Sequence, residues 1–359
     1  MPGLNLTQLR LRNQHLNEPG FTKPAEVVKW LGAVQAQDYA GAKWAIGQRL
    51  MNGSDKIIEK AFNDGEILRT HVMRPTWHFV APQDIRWMLD LTAARVQAIA
   101  ATRHRQLQLD EKVFSKCANT LTRVLEGGKQ LARTQLIDTL RNAGIKIEEQ
   151  RFVHIMMEME LRQLICSGGT EGKQLTYALL DDRVPKTAAI SRDEALATMA
   201  GRYFAAHGPA TLQDFAWWSG LTVADCKAGL EMIKSNLVNK DGHWFADPEI
   251  GTVKQNRAYL LPNYDEYIVS YKDRSATILE KNIDKADPRG TIFNHTVIVN
   301  GKIEGIWKRE LKKETVIIDI TPFKLLSKQA NAAIDSAAKR YAKFLELKEA
   351  VVKVHYFRI

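Results

Sequence analysis

Ile67-Leu68-Arg69-Thr70-His71-Val72-Met73-Arg74-Pro75-Thr76-Trp77-His78-Phe79-Val80 is the stretch on which the fold turns. Its β-branched and aromatic content, after the turn Asn63-Asp64-Gly65, predicts two strands joined near Arg74-Pro75. Helical segments precede it, and helices followed by a hairpin have the order of a winged-helix unit, with the hairpin as the wing. Arg69, His71, Arg74 and His78 on such a wing can meet phosphates, and Trp77 can press into a base step. The structural alternative is a sheet edge kept soluble by its charges. His71 and His78 lack the spacing of a metal-binding helix and have no third ligand nearby in sequence, so no metal is expected.

Working toward the N-terminus, Val34-Gln35-Ala36-Gln37-Asp38 closes an apolar helix. Val27, Leu31 and Val34 repeat at i, i+4, i+7, and Pro24 suits the first turn. On a helix, residues two apart point away from each other; on extended backbone they face the same way. If Gln35 and Gln37 serve one site, the helix must end at about Val34. Otherwise both are solvent-facing helix glutamines. Before this helix, Thr7 to Leu16 reads as a short helix with Arg10 and Arg12 exposed. After it come a helical stretch from Ala40 to Met51 and a helix from Lys56 to Phe62, capped by Ser54 or Asp55.

Working toward the C-terminus, Asp84 to about Leu109 reads as an amphipathic helix ending in Arg103, His104 and Arg105. Helices from Val113 to Leu125, Arg133 to Asn142 and Glu148 to Ile165 lead into a strand at Leu175 to Leu180, again in winged-helix order. Ser191 can cap a third set. Thr211 and Thr222 are natural N-caps, and Ser219-Gly220-Leu221 is the turn of a helix-turn-helix ending in the strand His243-Trp244-Phe245. From Arg257 the character changes. Lys272-Asp273-Arg274 begins a polar linker through Pro288-Arg289-Gly290. Asn300-Gly301 marks a type I′ hairpin, a long helix runs from Leu325 to about Leu347, and Val351 to Phe357 reads as the last strand. The reading is an α+β, mainly helical chain. It comprises three winged-helix units, at 1–125, 126–190 and 191–250, and a C-terminal α/β region at 251–359.

Of the 359 residues, 45% are hydrophobic and 26% charged, the balance of an ordinary globular protein. No run approaches a membrane span, and Met1 to Leu16 lacks the apolar core of a secretory signal. Cys117, Cys166 and Cys226 are odd in number and far apart, which suits a reducing cytoplasm and small buried side chains. The net charge of +10 is uneven. Residues 1–125 carry 17 Lys/Arg against 11 Asp/Glu, residues 126–190 carry 9 against 9, residues 191–250 carry 5 against 8, and residues 251–359 carry 20 against 13. Basic ends around a neutral middle suit a polyanion such as DNA or RNA. The acidic third unit suits scaffold better than a DNA-reading helix. No phosphate loop, nucleophile elbow or zincin motif occurs.

The quoted stretches resemble the winged-helix DNA glycosylase family typified by AlkZ and YcaQ. The resemblance rests on Ala33 to Asp38, Arg74 to Val80, Gly172 to Leu180, His207 to Thr211, Phe215 to Leu221 and Leu260 to Tyr267, in order along most of the chain. Gln35-Ala36-Gln37 matches the Gln-x-Gln motif of the AlkZ-like branch rather than Gln-x-Asp. Pro75 is a departure, standing where glycine is expected in the arginine-glycine-threonine stretch, and it changes the turn. The resemblance implies a DNA repair glycosylase acting on double-stranded DNA with alkylated purines, with bulky adducts and interstrand crosslinks within its range. Gln35, Gln37 and Asp38 would form the catalytic set, and Arg69, His71, Arg74, Trp77 and His78 the DNA contacts. No cofactor, obligate protein partner or membrane is implied, and a cytoplasmic, nucleoid-associated monomer is expected.

The chemistry agrees with that implication. An amide does not titrate, so neither glutamine is a general base. A neutral purine would ordinarily call for carboxylates, as in glycoside hydrolysis. An N7-alkylated purine is already cationic and leaves without prior protonation, so positioning water and stabilising charge suffice. Two rival classes share the fold. A winged-helix transcription regulator would prefer one duplex sequence and release no base. A protein-joining scaffold would bind DNA weakly, without sequence preference and with steep salt dependence.

Overall fold

The computed structural model describes residues 4–246, 257–287 and 294–356. One order of elements recurs three times: helix, short strand or bridge, two helices, hairpin. In the first set, α1 (Leu6–Asn13) precedes α2 (Pro24–Leu31), β1 (Val34–Gln35), α3 (Tyr39–Gly47), α4 (Asp55–Asn63), β2 (Leu68–His71) and β3 (Trp77–Val80). The helix α5 (Ile85–Gln106) leads on to α6 (Glu111–Leu125), β4 (Leu131–Ala132), α7 (Arg133–Asn142), α8 (Arg151–Leu161), β5 (Ile165–Glu171), β6 (Gln174–Leu179) and the single turn α9 (Leu180–Arg183). The third set is α10 (Arg192–Ala206), α11 (Leu212–Ser219), α12 (Val223–Ile233), β7 (Val238–Lys240) and β8 (His243–Phe245). Each short strand pairs with the second strand of its own hairpin. The sheet orders are β1-β3-β2 and β4-β6-β5, and in the third set Ala210 bridges Trp244 of β8.

The last region holds β9 (Ala258–Leu261), the short helices α13 (Glu266–Val269) and α14 (Ile283–Ala286), β10 (Thr296–Val299), β11 (Lys302–Leu311), β12 (Thr315–Pro322), α15 (Lys328–Phe344) and β13 (Glu349–Val354). Its five strands run in the order β13-β12-β11-β10-β9. Only β12 and β13 pair in parallel, joined by the crossover helix α15. Asn300 and Gly301 both have positive φ, at 51° and 83°, as a type I′ turn between β10 and β11 requires. The expected linker after Lys272 contains α14, and its end, Pro288-Arg289-Gly290, lies outside the described residues. The last strand ends at Val354; Phe357 is likewise outside them.

The apolar clusters show how these pieces hold the first set in place. Residues of α6, α7, α8 and β5 close a core among themselves. The helices α2 to α4 instead pack under the C-terminal sheet and α15, with Trp44 against Tyr341 and Phe344. The hairpin β2–β3 and α5 share a core with α10, α11 and α12. Gly220 ends α11 at φ +70°, and a Cβ there would stand 2.2 Å from the Met73 carbonyl in the hairpin turn. Only glycine allows that approach. The turn at Arg74-Pro75 is thus seated on α11 as well as set by its own residues.

Arg10 corrects the expectation of an exposed face on α1. It is 2% exposed, donates from Nε to the Pro209 carbonyl at 2.9 Å and lies over the Tyr271 ring at 3.7 Å. A guanidinium can be buried when its donors and its flat face are both used.

Candidate active site

The helix α2 stops at Leu31, three residues before the expected end. Gly32 ends it with φ +80°, and a Cβ there would press on Trp218 at 3.2 Å. The chain then runs extended, and the register places Val34 opposite Phe79 and Gln35 opposite His78. Pairing continues one step further, with the Ala36 N–H donating to the Trp77 carbonyl at 2.7 Å. Gln35 therefore lies on extended backbone, and Gln37 follows at the bend that leads into α3.

Their surroundings differ. Gln35 is 8% exposed, and its Oε1 accepts from Arg74 Nη2 at 3.2 Å. Its backbone N–H donates to Glu266 Oε1 at 2.8 Å. Gln37 is exposed. One amide is held inside and the other faces outward. Asp38 begins α3 as its N-cap, accepting from the Gly41 N–H at 3.1 Å. Of the three expected catalytic residues, Asp38 thus has a helix-capping task already.

The hairpin residues divide in the same way. His71 is 3% exposed; Glu160 accepts from its backbone N–H at 3.0 Å and meets Nδ1 of its ring. His78 is fully buried, with Nδ1 on the Thr76 carbonyl at 2.9 Å, and burial first, then Arg74, hold its pKa well below the usual histidine range. The expectation that these two rings meet phosphates is corrected: both face inward and are paired within the protein. Arg69 is half-buried. It donates from Nε to the Ala36 carbonyl at 3.0 Å and lies 4.3 Å over the Trp77 ring. Trp77 also packs against His71, with the rings tilted by 44°. Arg74 is half-buried against Gln35 and His78, and burial lowers its pKa.

Several residues that hold the motif went unread in the sequence. Glu266 is fully buried. Besides the Gln35 N–H it accepts from Ser270 Oγ at 2.6 Å and Trp218 Nε1 at 3.1 Å. Burial raises its pKa, against the pull of those donors and of Arg74. Beside it, Asp265 forms a bidentate pair with Arg49 at 2.9 and 3.0 Å, and both are buried. His207, also fully buried, meets the Leu31 carbonyl through Nε2 at 3.0 Å and Gln14 through Nδ1 at 3.4 Å. It therefore touches the last residue of α2. One signal was present. Asp265-Glu266 sits between Leu260-Leu261 and Ile268-Val269, and adjacent acids inside an apolar run must find partners.

Among the described residues, no group of three His, Cys, Asp or Glu side chains is arranged to hold a metal ion, and no helix is long and apolar enough to cross a membrane.

The class is that of the DNA N-glycosylases, and it is the family match that shows it. Residues 28–344 match the model of the family described as "DNA glycosylase AlkZ-like", and the chain belongs to that family. A relative from Streptomyces sahachiroi, named "Interstrand DNA cross-link repair glycosylase", is 21% identical over 93% of this chain and 94% of its own length. The solved structure of the Streptomyces sahachiroi DNA glycosylase AlkZ superposes with a TM-score of 0.79 at 18% identity, covering 98% of both chains. That likeness supports the α+β fold.

Proposed function

We propose that this protein is a monofunctional glycosylase that hydrolyses the N-glycosidic bond of alkylated purines in duplex DNA. Its substrates would include N7-alkylguanine, bulky adducts and, in keeping with the name of the Streptomyces relative, interstrand crosslinks. Three tandem winged-helix units would form the DNA-facing frame. The observation that carries the reading is the inequality of the two glutamines: Gln35 buried and clamped by Arg74 and Glu266, Gln37 exposed two residues on, at the bend that follows the strand.

The mechanism follows from the amide chemistry. The C1′–N9 bond breaks, and its electron pair neutralises the alkylated purine, which leaves. Water attacks C1′ and loses a proton to solvent, leaving an abasic sugar. No lysine Schiff base forms. Gln37 can turn its amide oxygen to the attacking water. Gln35 Oε1 keeps a second lone pair after accepting from Arg74, so it can hold the same water from the buried side. Their contribution is orientation and electrostatic preorganisation rather than proton transfer. Asp38 is a positioning residue that fixes where α3 begins. Arg69, Arg74 and Trp77 supply the polar and aromatic wall on the DNA side. Bulky adducts are accommodated by an open channel rather than a closed base pocket.

The test is base release from a duplex carrying N7-methylguanine and from one carrying a nitrogen-mustard crosslink. Wild type is compared with the Gln35→Ala/Gln37→Ala double variant. Release by wild type alone, with DNA affinity of the variant within a few-fold, is the expected result. Retained release in the variant would sink the assignment of the glutamines. Sequence-preferring binding with no release from either substrate would favour a regulator.

A further inference from the structure

Between the hairpins β2–β3 and β5–β6 lies a cavity of about 490 Å³, lined by Arg69, Trp77, Arg133, Glu160, Lys173 and Tyr177. Its size suits a ligand group larger than a single ion. Its charges converge on one space. Arg86, Arg162 and Arg202 each pair with carboxylates. Among the described residues, Arg69, Arg133 and Lys173 have no such ion pair. The one carboxylate in the wall, Glu160, is already engaged by the His71 backbone and ring. Three cations thus share one space with a single, occupied counterion.

Two of the three cations are held in place, and the third, Lys173, is exposed at the rim. Arg69 is fixed at Nε by the Ala36 carbonyl and lies flat on Trp77, while its side chain forms part of the cavity wall. Arg133 is the first residue of α7, so it adds its charge to the positive end of a ten-residue helix, and it stands over Phe152 at 4.6 Å. Ser167, also in the wall, accepts from the Arg69 backbone N–H at 2.7 Å, which leaves its hydroxyl hydrogen to donate. Trp77, Leu175 and Tyr177 add apolar and aromatic surface to a wall that also holds Thr134, Gln174 and Thr176. Cations and a hydroxyl donor against an apolar wall match an anion carrying a compact, weakly polar group. A phosphodiester with its sugar has that chemistry.

We propose that this cavity seats one backbone phosphodiester of the lesion-bearing strand, held by Arg69, Arg133 and Lys173. The assignment rests on the glycosylase reading above. Arg69 touches the carbonyl between the two glutamines, so the seated phosphate belongs to a nucleotide near the reacting one. The seat registers the strand while the glutamines act on it.

The experiment is a binding cycle on a duplex with one N7-methylguanine. Phosphates around the lesion are replaced one at a time by neutral methylphosphonate, and affinity is read by fluorescence anisotropy across a salt series. Wild type should lose on the order of 10-fold at one flanking position, the scale of a lost charge-assisted hydrogen bond. Arg133→Ala/Lys173→Ala should bind the unmodified duplex more weakly by a similar factor, be indifferent to methylphosphonate at that position, and show a salt slope shallower by about 1. A variant that stays sensitive at every position where wild type is sensitive, with an unchanged slope, overturns the proposal. A flat methylphosphonate series in wild type, with inorganic phosphate at constant ionic strength displacing the duplex, also overturns it, because the seat would then serve a free anion. Base release by wild type is recorded on the same duplex. Its absence would fail the glycosylase reading while the binding cycle remains readable.

Discussion

The first and second sets of elements share one connectivity yet anchor their short strands differently. In the second, the backbone N–H of Ala132 in β4 is satisfied by Gln135, three residues away. In the first, the N–H of Gln35 in β1 is satisfied by Glu266, 231 residues away. Opposite Ala132 stands Thr176; opposite Gln35 stands His78. The second set closes a core of its own and lends Met157, Leu161, Cys166 and Leu180 to another, whereas the first is divided between cores that reach into the rest of the chain. On the proposed function, this common frame carries its chemistry at the repeat whose backbone is held from outside. This is the expected relation between a fold and a site grafted on it.

The largest effect should come from breaking the distant anchor. Glu266→Ala leaves the Gln35 N–H and Trp218 Nε1 without their acceptor and frees β1 to shift. Single-turnover base release at saturating DNA should fall by roughly 100-fold, the scale of an ångström-sized misplacement. Glu266→Gln, which can still accept from Gln35, should recover much of it. Equal rates for both variants and wild type would show that the distant bond does not hold the motif.

A second difference concerns pH. His207 latches the end of α2 as a neutral ring, and burial first of all lowers its pKa to about 3. An unfolded histidine titrates near about 6.5. As pH falls through that value the unfolded chain takes up a proton that the folded chain refuses. Stability is therefore full above about pH 6.5 and is lost toward about pH 3, at up to ~1.4 kcal/mol per pH unit. His207→Gln should flatten the fall in urea midpoint across that window. An unchanged slope would remove His207 as its source.

Smaller effects sharpen the contrast from the local side. Gln135→Ala should cost about 1 kcal/mol in stability, as the loss of a helix-end hydrogen bond does, and leave base release unchanged. Asp38→Ala should cost a similar ~1 kcal/mol, whereas Asp38→Asn should keep both the cap and the activity. Loss of base release in Asp38→Asn at full stability would return the carboxylate to the chemistry.

What was legible in the sequence follows the same line between local and distant. The hairpin around Arg74-Pro75 and the turn at Asn300-Gly301 are set by residues within a few positions of each other, and each is found where the pattern puts it, whereas α2 ends three residues early at Gly32. The glutamine motif was legible for the same reason. Glu266, His207 and the choice of Arg49 as the partner of Asp265 were not, because these contacts are brought together only by tertiary packing. Arg10 and the two hairpin histidines show the converse error. Residue type suggested exposure, and burial with specific partners overrode it.

The bond from Glu266 to Gln35 also sets a schedule. During synthesis at about 5–20 residues per second, the acceptor is made roughly 10–50 s after the donor it must meet. Until then β1 has its hairpin partner but lacks its clamp. On the proposed function, reactivity arrives only when the last third of the chain has closed over the first.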